Sequence, residues 1–162
     1  MRILITGGIK SGKSRQALVE ASAFSAPRYF LTTAEAFDEE MAARIRRHKA
    51  DRGDAFVTIE EPLAIEEKLR ENMVLDCVTL WLNNMFFYGK EKDIPTAVDR
   101  IIDRLPRSIV IVTNEVGGGL VPADILSRKY VDALGTTNAR LAAACERVVL
   151  MVAGIPVTVA NR

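Results

Sequence analysis

Eight residues near the start of the chain, Gly7-Gly8-Ile9-Lys10-Ser11-Gly12-Lys13-Ser14, satisfy the spacing G-x-x-x-x-G-K-[ST]. That pattern is chemistry for a polyphosphate. The glycines let the backbone curl with no Cβ in the way, so that several N–H groups face one anion. Lys13 then reaches the β- and γ-phosphates, and the Ser14 hydroxyl binds Mg²⁺. The loop says nucleoside triphosphate and leaves open what is done with it. Asp76 closes the apolar run Met73-Val74-Leu75. An acidic residue at the end of a second strand can hold Mg²⁺, directly or through water, although it could equally cap the helix that follows. His48 is the one histidine. Arg44, His48 and Arg52 are spaced by four and would share one polar helix face. Flanking cations favour the neutral, nucleophilic imidazole and could hold a polyphosphate against it, so His48 could attack a phosphorus atom and carry a covalent intermediate. On spacing alone, an incidental histidine on a solvated basic face has the advantage.

These residues need a scaffold, and the hydrophobic pattern supplies one. Short β-rich runs predict strands over 2–6, 28–33, 56–59, 73–78, 108–113, 147–153 and 156–159. Helices are predicted over 13–24, 38–51, 62–71, 80–88, 94–105 and 124–146, the last with a break near Gly135. Continuous apolar strands such as Ile109-Val110-Ile111-Val112 suit a parallel sheet covered on both faces. The alternation predicts an α/β fold, a doubly wound, mostly parallel sheet with helices on both faces. The last two strands flank Gly154-Ile155-Pro156 and would form an antiparallel hairpin at the edge. No repeat or long linker divides the chain, so residues 1–162 form one expected domain.

Thr113-Asn114-Glu115-Val116, then three glycines, follows a buried strand. In open α/β sheets ligands gather at the carboxyl ends of strands, so this is either a movable binding loop or a long surface turn. Trp81, Phe86, Phe87 and Tyr88 lie on one predicted helix and read as core or subunit contact rather than as a base-stacking platform. Cys77 and Cys145 have no CxxC partner and read as reduced, buried packing residues. The formal charge of +1 gives no electrostatic case for nucleic acid or an anionic membrane. No apolar run approaches the roughly 20 residues that span a bilayer. The N-terminus enters the first strand at once, so the expectation is no signal peptide and a cytoplasmic protein.

The ordered combination of Thr6-Gly7-Gly8 through Ser14, Asp38-Glu39-Glu40-Met41, Arg44-Ile45-x-x-His48-x-x-x-Arg52, Leu75-Asp76-Cys77-Val78-Thr79-Leu80-Trp81, Thr113-Asn114-Glu115-Val116-Gly117 with Val121-Pro122, and Gly154-Ile155-Pro156 spans the chain. It resembles the bifunctional adenosylcobinamide kinase / adenosylcobinamide-phosphate guanylyltransferase family of cobalamin biosynthesis. The resemblance implies a P-loop NTPase with a RecA-like sheet, assembled as a propeller-like homotrimer. It implies that a nucleoside triphosphate, ATP or GTP, phosphorylates adenosylcobinamide. It also implies that His48 attacks the α-phosphate of GTP, expels pyrophosphate and passes GMP to adenosylcobinamide phosphate, giving adenosylcobinamide-GDP. Carried over by motif, residues Gly7 to Ser14 bind the triphosphate and Thr33, Ala34 and Glu35 approach the guanosine. Lys49, Ala50, Asp51, Arg52, Glu60 and Asp76 match further nucleotide-contacting positions, and Ser14 with Asp76 holds Mg²⁺. Lys10 stands where the family usually has Arg, Val131 where a second Arg is common, and Thr136-Thr137-Asn138 where Gly-Arg-x-Asn is usual. For the corrinoid, residues 113–119 and 79–84 are the candidates.

Two alternatives stay open at this level. One is a phosphoryl transferase with no histidine intermediate. The other is a RecA-like ATPase or nucleotide switch acting on a protein or on DNA, with the near-neutral charge counting against DNA.

Overall fold

β-branched and aliphatic residues crowd four- to six-residue runs that are too short for stable helices and well suited to a pleated, two-sided surface. In the computed structural model these runs become seven strands: β1 (Arg2–Gly7), β2 (Tyr29–Thr32), β3 (Val57–Glu60), β4 (Met73–Asp76), β5 (Ile109–Val112), β6 (Arg147–Val152) and β7 (Ile155–Asn161). Between them lie the helices α1 (Lys13–Ala21), α2 (Glu39–Arg52), α3 (Val78–Phe87), α4 (Ile94–Asp103) and α5 (Ile125–Ala144). The structure describes residues 1–36 and 38–162, with the side chains at 44, 47, 48, 51 and 52 outside the description.

The strands form one sheet in the order β3-β2-β4-β5-β1-β6-β7. Neighbouring pairs are parallel from β3 to β6, and only β7 runs antiparallel, as the expected edge hairpin. Successive side chains on a strand point to opposite faces, and the core divides accordingly. Leu4, Leu31, Leu75, Ile109 and Ile111 face one layer, packed with Val78, Trp81 and Met85 of α3, Val98 and Ile101 of α4, and Leu134 and Leu141 of α5. Ile3, Ile5, Phe30, Val74, Val110 and Val112 face the other, against Ala17 and Ala21 of α1. Small alanines let α1 lie close on the sheet, directly behind the loop that precedes it.

Three predicted elements differ. The helix expected over 62–71 is a single 3-10 turn, Ile65–Glu67. A Glu61 carboxylate oxygen accepts the N–H groups of Leu63 (3.0 Å) and Ala64 (2.9 Å), which diverts those donors from a helical ladder. Helix α1 ends at Ala21 rather than 24, because the last turns tighten to i→i−3 bonds and Arg28 claims the carbonyls of Phe24 and Ser22. Helix α5 runs unbroken through Gly135, where tertiary packing overrides glycine's weak propensity.

Trp81 is fully buried and its indole N–H donates to the Leu63 carbonyl at 2.8 Å, while Phe87 and Tyr88, on the same helix, are exposed and stack edge to face. Trp81→Ala is expected to lower unfolding free energy by about 3–5 kcal/mol in urea titrations. Cys77 and Cys145 are buried and neither is in a disulfide. Burial pushes the Cys145 thiol up to about 12, so at pH 8 thiol reagents should label it only once the chain is unfolded, as peptide mapping after native and urea labelling will show.

Candidate nucleotide site

Parallel pairing places the carboxyl ends of β1, β4 and β5 along one edge of the sheet, with Ile5 and Asp76 both opposite Val112. Gly7 ends β1 at φ 146°, a conformation L side chains rarely adopt. A Cβ there would lie 2.6 Å from the Met151 carbonyl oxygen and 2.9 Å from Ser11 Oγ, so the loop can leave the sheet only through glycine. Lys10 (φ 56°) and Gly12 (φ 93°) complete the turn into α1.

Lys13 and Ser14 occupy the first turn of α1, where free backbone N–H groups and the helix dipole favour an anion. The Lys13 side chain is nearly buried, and its Nζ donates to the carbonyls of Gly7 (3.0 Å) and Gly8 (2.5 Å). Ser14 Oγ donates to Asp76 Oδ2 at 3.0 Å, tying the loop to the end of β4. These residues open on a cavity of about 580 Å³ whose lining also includes Lys10, Arg15, Cys77, Glu40 and Ala43 of α2, and Asn114. The lysines and Arg15 give it an anion-binding wall.

Ser14 and Asp76 offer a hydroxyl and a carboxylate oxygen side by side. That is the hard-oxygen pair a Mg²⁺ ion takes when phosphates and water complete its shell. Among the described residues no group of three or more His, Cys, Asp or Glu forms a self-sufficient metal cage.

The other expected nucleotide contacts spread outward from this centre. Thr33 follows β2 and is fully buried; its Oγ1 donates to the Cys77 carbonyl (2.8 Å) and accepts the Cys77 N–H (3.2 Å). Its hydroxyl is therefore engaged within the fold, and it fixes the start of the segment that carries Ala34 and Glu35. Glu35 Oε1 accepts a hydrogen bond from the Tyr88 hydroxyl at 3.1 Å. That bond, with smaller contributions from burial and the carboxylate charge, raises the Tyr88 pKa. Glu60 ends β3, exposed, and Lys49 and Ala50 lie exposed on the C-terminal half of α2. His48, Asp51 and Arg52, with Arg44, belong to the same helix, but their side chains lie outside the described residues. Asp38 caps α2 by accepting the Met41 N–H at 2.7 Å.

Sequence reasoning missed the part played by Asn138 and underused Asn114. Thr113 Oγ1 donates to Asn138 Oδ1 (2.7 Å), and Asn138 Nδ2 donates to the Asn114 carbonyl (3.0 Å). An asparagine in the interior of a long helix, where it is a poor helix former, was the available signal.

The family described as cobinamide kinase / cobinamide phosphate guanyltransferase matches residues 3–159. The chain belongs to this family. It is 39% identical over 165 residues to the bifunctional adenosylcobalamin biosynthesis protein CobP of Pseudomonas aeruginosa, covering 96% of this chain and 95% of that protein. It is 37% identical over 181 residues to the bifunctional adenosylcobalamin biosynthesis protein CobU of Escherichia coli, covering 98% and 99%. Among solved structures, an ATPase from the type III secretion system of pathogenic bacteria superposes with a TM-score of 0.50 at 12% identity, over 93% of this chain and 51% of that one. That likeness bears on the fold alone: a mostly parallel sheet covered by helices, with an antiparallel edge. In this member of the cobinamide kinase / guanyltransferase family, the phosphate loop, Ser14 and Asp76 surround one cavity.

The glycine geometry makes a paired prediction. Gly7→Ala should lower the melting temperature by an amount corresponding to about 1–3 kcal/mol. Gly8→Ala, where an added Cβ meets nothing within 4 Å, should stay within about 0.5 kcal/mol of wild type. Thermal denaturation without nucleotide measures both.

Proposed function

We propose that this enzyme phosphorylates adenosylcobinamide with a nucleoside triphosphate, ATP or GTP, and then transfers GMP from GTP to the resulting adenosylcobinamide phosphate, through a guanylylated His48. The observation that carries the reading is the cavity in which the loop from Gly7 to Ser14 meets Asp76, in a chain whose family is described as performing both activities.

In the kinase step the corrinoid hydroxyl oxygen bonds to the γ-phosphorus, the bridge to the β-phosphate breaks, a nucleoside diphosphate leaves and the hydroxyl proton passes to solvent. In the transferase step an imidazole nitrogen of His48 bonds to the α-phosphorus and pyrophosphate departs. A phosphate oxygen of adenosylcobinamide phosphate then attacks that phosphorus, and the P–N bond breaks to free the imidazole. A covalent step of this kind divides one transfer into two and gives ping-pong behaviour for guanylyl transfer. Lys13 and Lys10, with Arg44 or Arg52, carry the charge that builds on the departing phosphates. Ser14 and Asp76 would hold Mg²⁺, which would supply charge neutralisation to the triphosphate. Lys13 is positioned for its part by the Gly7 and Gly8 carbonyls, which hold its ammonium at the mouth of the loop.

Helix α2 reaches the cavity through Glu40 and Ala43. Position 48 lies eight residues beyond Glu40, roughly 12 Å along a helix axis, so we assign α2 a shift toward the α-phosphate on GTP binding. Ala34, Glu35, Lys49, Ala50, Asp51, Arg52 and Glu60 are assigned to the nucleoside side of the site, with Thr33 anchoring the segment that carries Ala34 and Glu35. The same reading gives a cytoplasmic homotrimer acting on a small corrinoid rather than on nucleic acid. No described helix is long and apolar enough to cross a bilayer.

Intact-protein mass spectrometry after incubation with GTP and Mg²⁺ tests the chemistry. Wild type should gain the mass of one GMP, and His48→Ala should not. Absence of an adduct under turnover, with label passing only from the γ-phosphate, would leave a plain phosphoryl transferase.

A further inference from the structure

The end of β5 carries more order than a binding loop requires. β5 lies between β1, which feeds the phosphate loop, and β4, which ends in Asp76. Past its last residue the ladder to β1 continues: the Thr113 N–H donates to the Ile5 carbonyl (3.0 Å) and the Glu115 N–H to the Gly7 carbonyl (3.1 Å). Between them, Asn114 is clamped from the opposite side. Its N–H donates to Thr79 Oγ1 at 2.7 Å, and its carbonyl accepts Asn138 Nδ2 at 3.0 Å. The clamp is itself braced. Thr113 Oγ1, fully buried, bonds Asn138 Oδ1 at 2.7 Å, and Tyr130 of α5 donates to the Thr79 carbonyl at 2.9 Å. Thr79, Thr113 and Asn138 are all buried; two of these side chains, Thr79 and Asn138, bond the Asn114 backbone directly, and Thr113 and Tyr130 brace those two.

Asn114 nevertheless lines the cavity beside Lys13, Ser14 and Asp76. With both of its main-chain polar groups engaged, the carboxamide is what it offers there, and that carboxamide has no hydrogen-bond partner among the described residues. A polar group held this rigidly and left unpartnered at an anion site is arranged for a ligand. The loop and the first turn of α1 surround the inner phosphates. What remains of the ligand to face the strand between β1 and β4 is the outermost phosphate.

We propose that Asn114 is a nucleotide-contact residue that donates its amide N–H to the terminal phosphate and so distinguishes a triphosphate from a diphosphate. Asn138 and Thr79 act through it as positioning residues. The inference rests on the triphosphate reading of the cavity and adds a residue to it. The contact is neutral to charged, which is the stronger class of hydrogen bond. It also places the terminal phosphate one residue from Glu115 and the glycines at 117–119, so occupancy of the cavity is felt where that loop begins.

The test is calorimetric titration of wild type, Asn114→Ala and Asn114→Asp with Mg²⁺ and two ligands that cannot lose pyrophosphate or phosphate from the α-phosphorus, the α,β-methylene analogues of GTP and GDP. Truncating a side chain that holds nothing else in place leaves the fold intact, and the diphosphate reports this directly. Asn114→Ala is expected to bind the triphosphate about ten- to a hundredfold more weakly and the diphosphate within about twofold of wild type. Asn114→Asp, which sets a carboxylate against the phosphate, should lose at least as much for the triphosphate alone. An equal loss for both ligands, or none for either, overturns the assignment. Failure of wild type to bind either ligand overturns the nucleotide site itself.

Discussion

Parallel pairing of β1, β5 and β4 is the constraint on which the site depends. Only when three strands run the same way do their carboxyl ends, and hence the phosphate loop, Asn114 and Asp76, arrive at one edge. Parallel strands need long crossovers, and those crossovers are the helices that cover both faces of the sheet. The alternation of side chains along each strand then divides the interior into two layers. One holds α1 close behind the loop; the other anchors α3 and α5, which supply Thr79, Tyr130 and Asn138.

The edge so formed is the candidate anion site, and its groups are already in place. Gly7 removes the Cβ that would strike the Met151 carbonyl, and the chain can therefore turn out of the sheet without spreading β1 from β6. Lys13, a nearly buried cation, is stabilised by two loop carbonyls rather than left to bulk water. Ser14 and Asp76 are already in contact. Little reorganisation remains between these groups when a polyphosphate enters, which is the condition under which electrostatic stabilisation is most effective.

Hydrogen-bonded order is concentrated at the strand ends. Buried hydrogen bonds join Thr33 to Cys77, Asn84 to the Thr33 carbonyl, and Thr113 to Asn138, so the strand ends are rigid. By contrast, Leu120 and Val121 beyond the glycines are exposed, and among the described residues α2 touches the cavity through Glu40 and Ala43. A rigid phosphate site bordered by less tightly packed segments suits an enzyme that must admit a nucleotide and a bulky second substrate in turn.

Much of this was legible in residue order. The loop motif, the Asp at the end of an apolar run and the continuous aliphatic strands are local patterns, and local patterns survive in a linear string. The strands all formed, whereas the helix expected over 62–71 did not, because a single carboxylate, Glu61, took its first donors. The sequence by itself determined the phosphate loop, the parallel α/β class and the burial of Trp81 and the cysteines, since each depends on residue type and short-range period. Tertiary structure alone decided that Ser14 meets Asp76, that Thr33 is consumed by the fold, and that Asn114 is clamped by residues 35 positions before it and 24 after it. Those are contacts between segments far apart in the chain, and no spacing rule encodes which strand will lie between which two others.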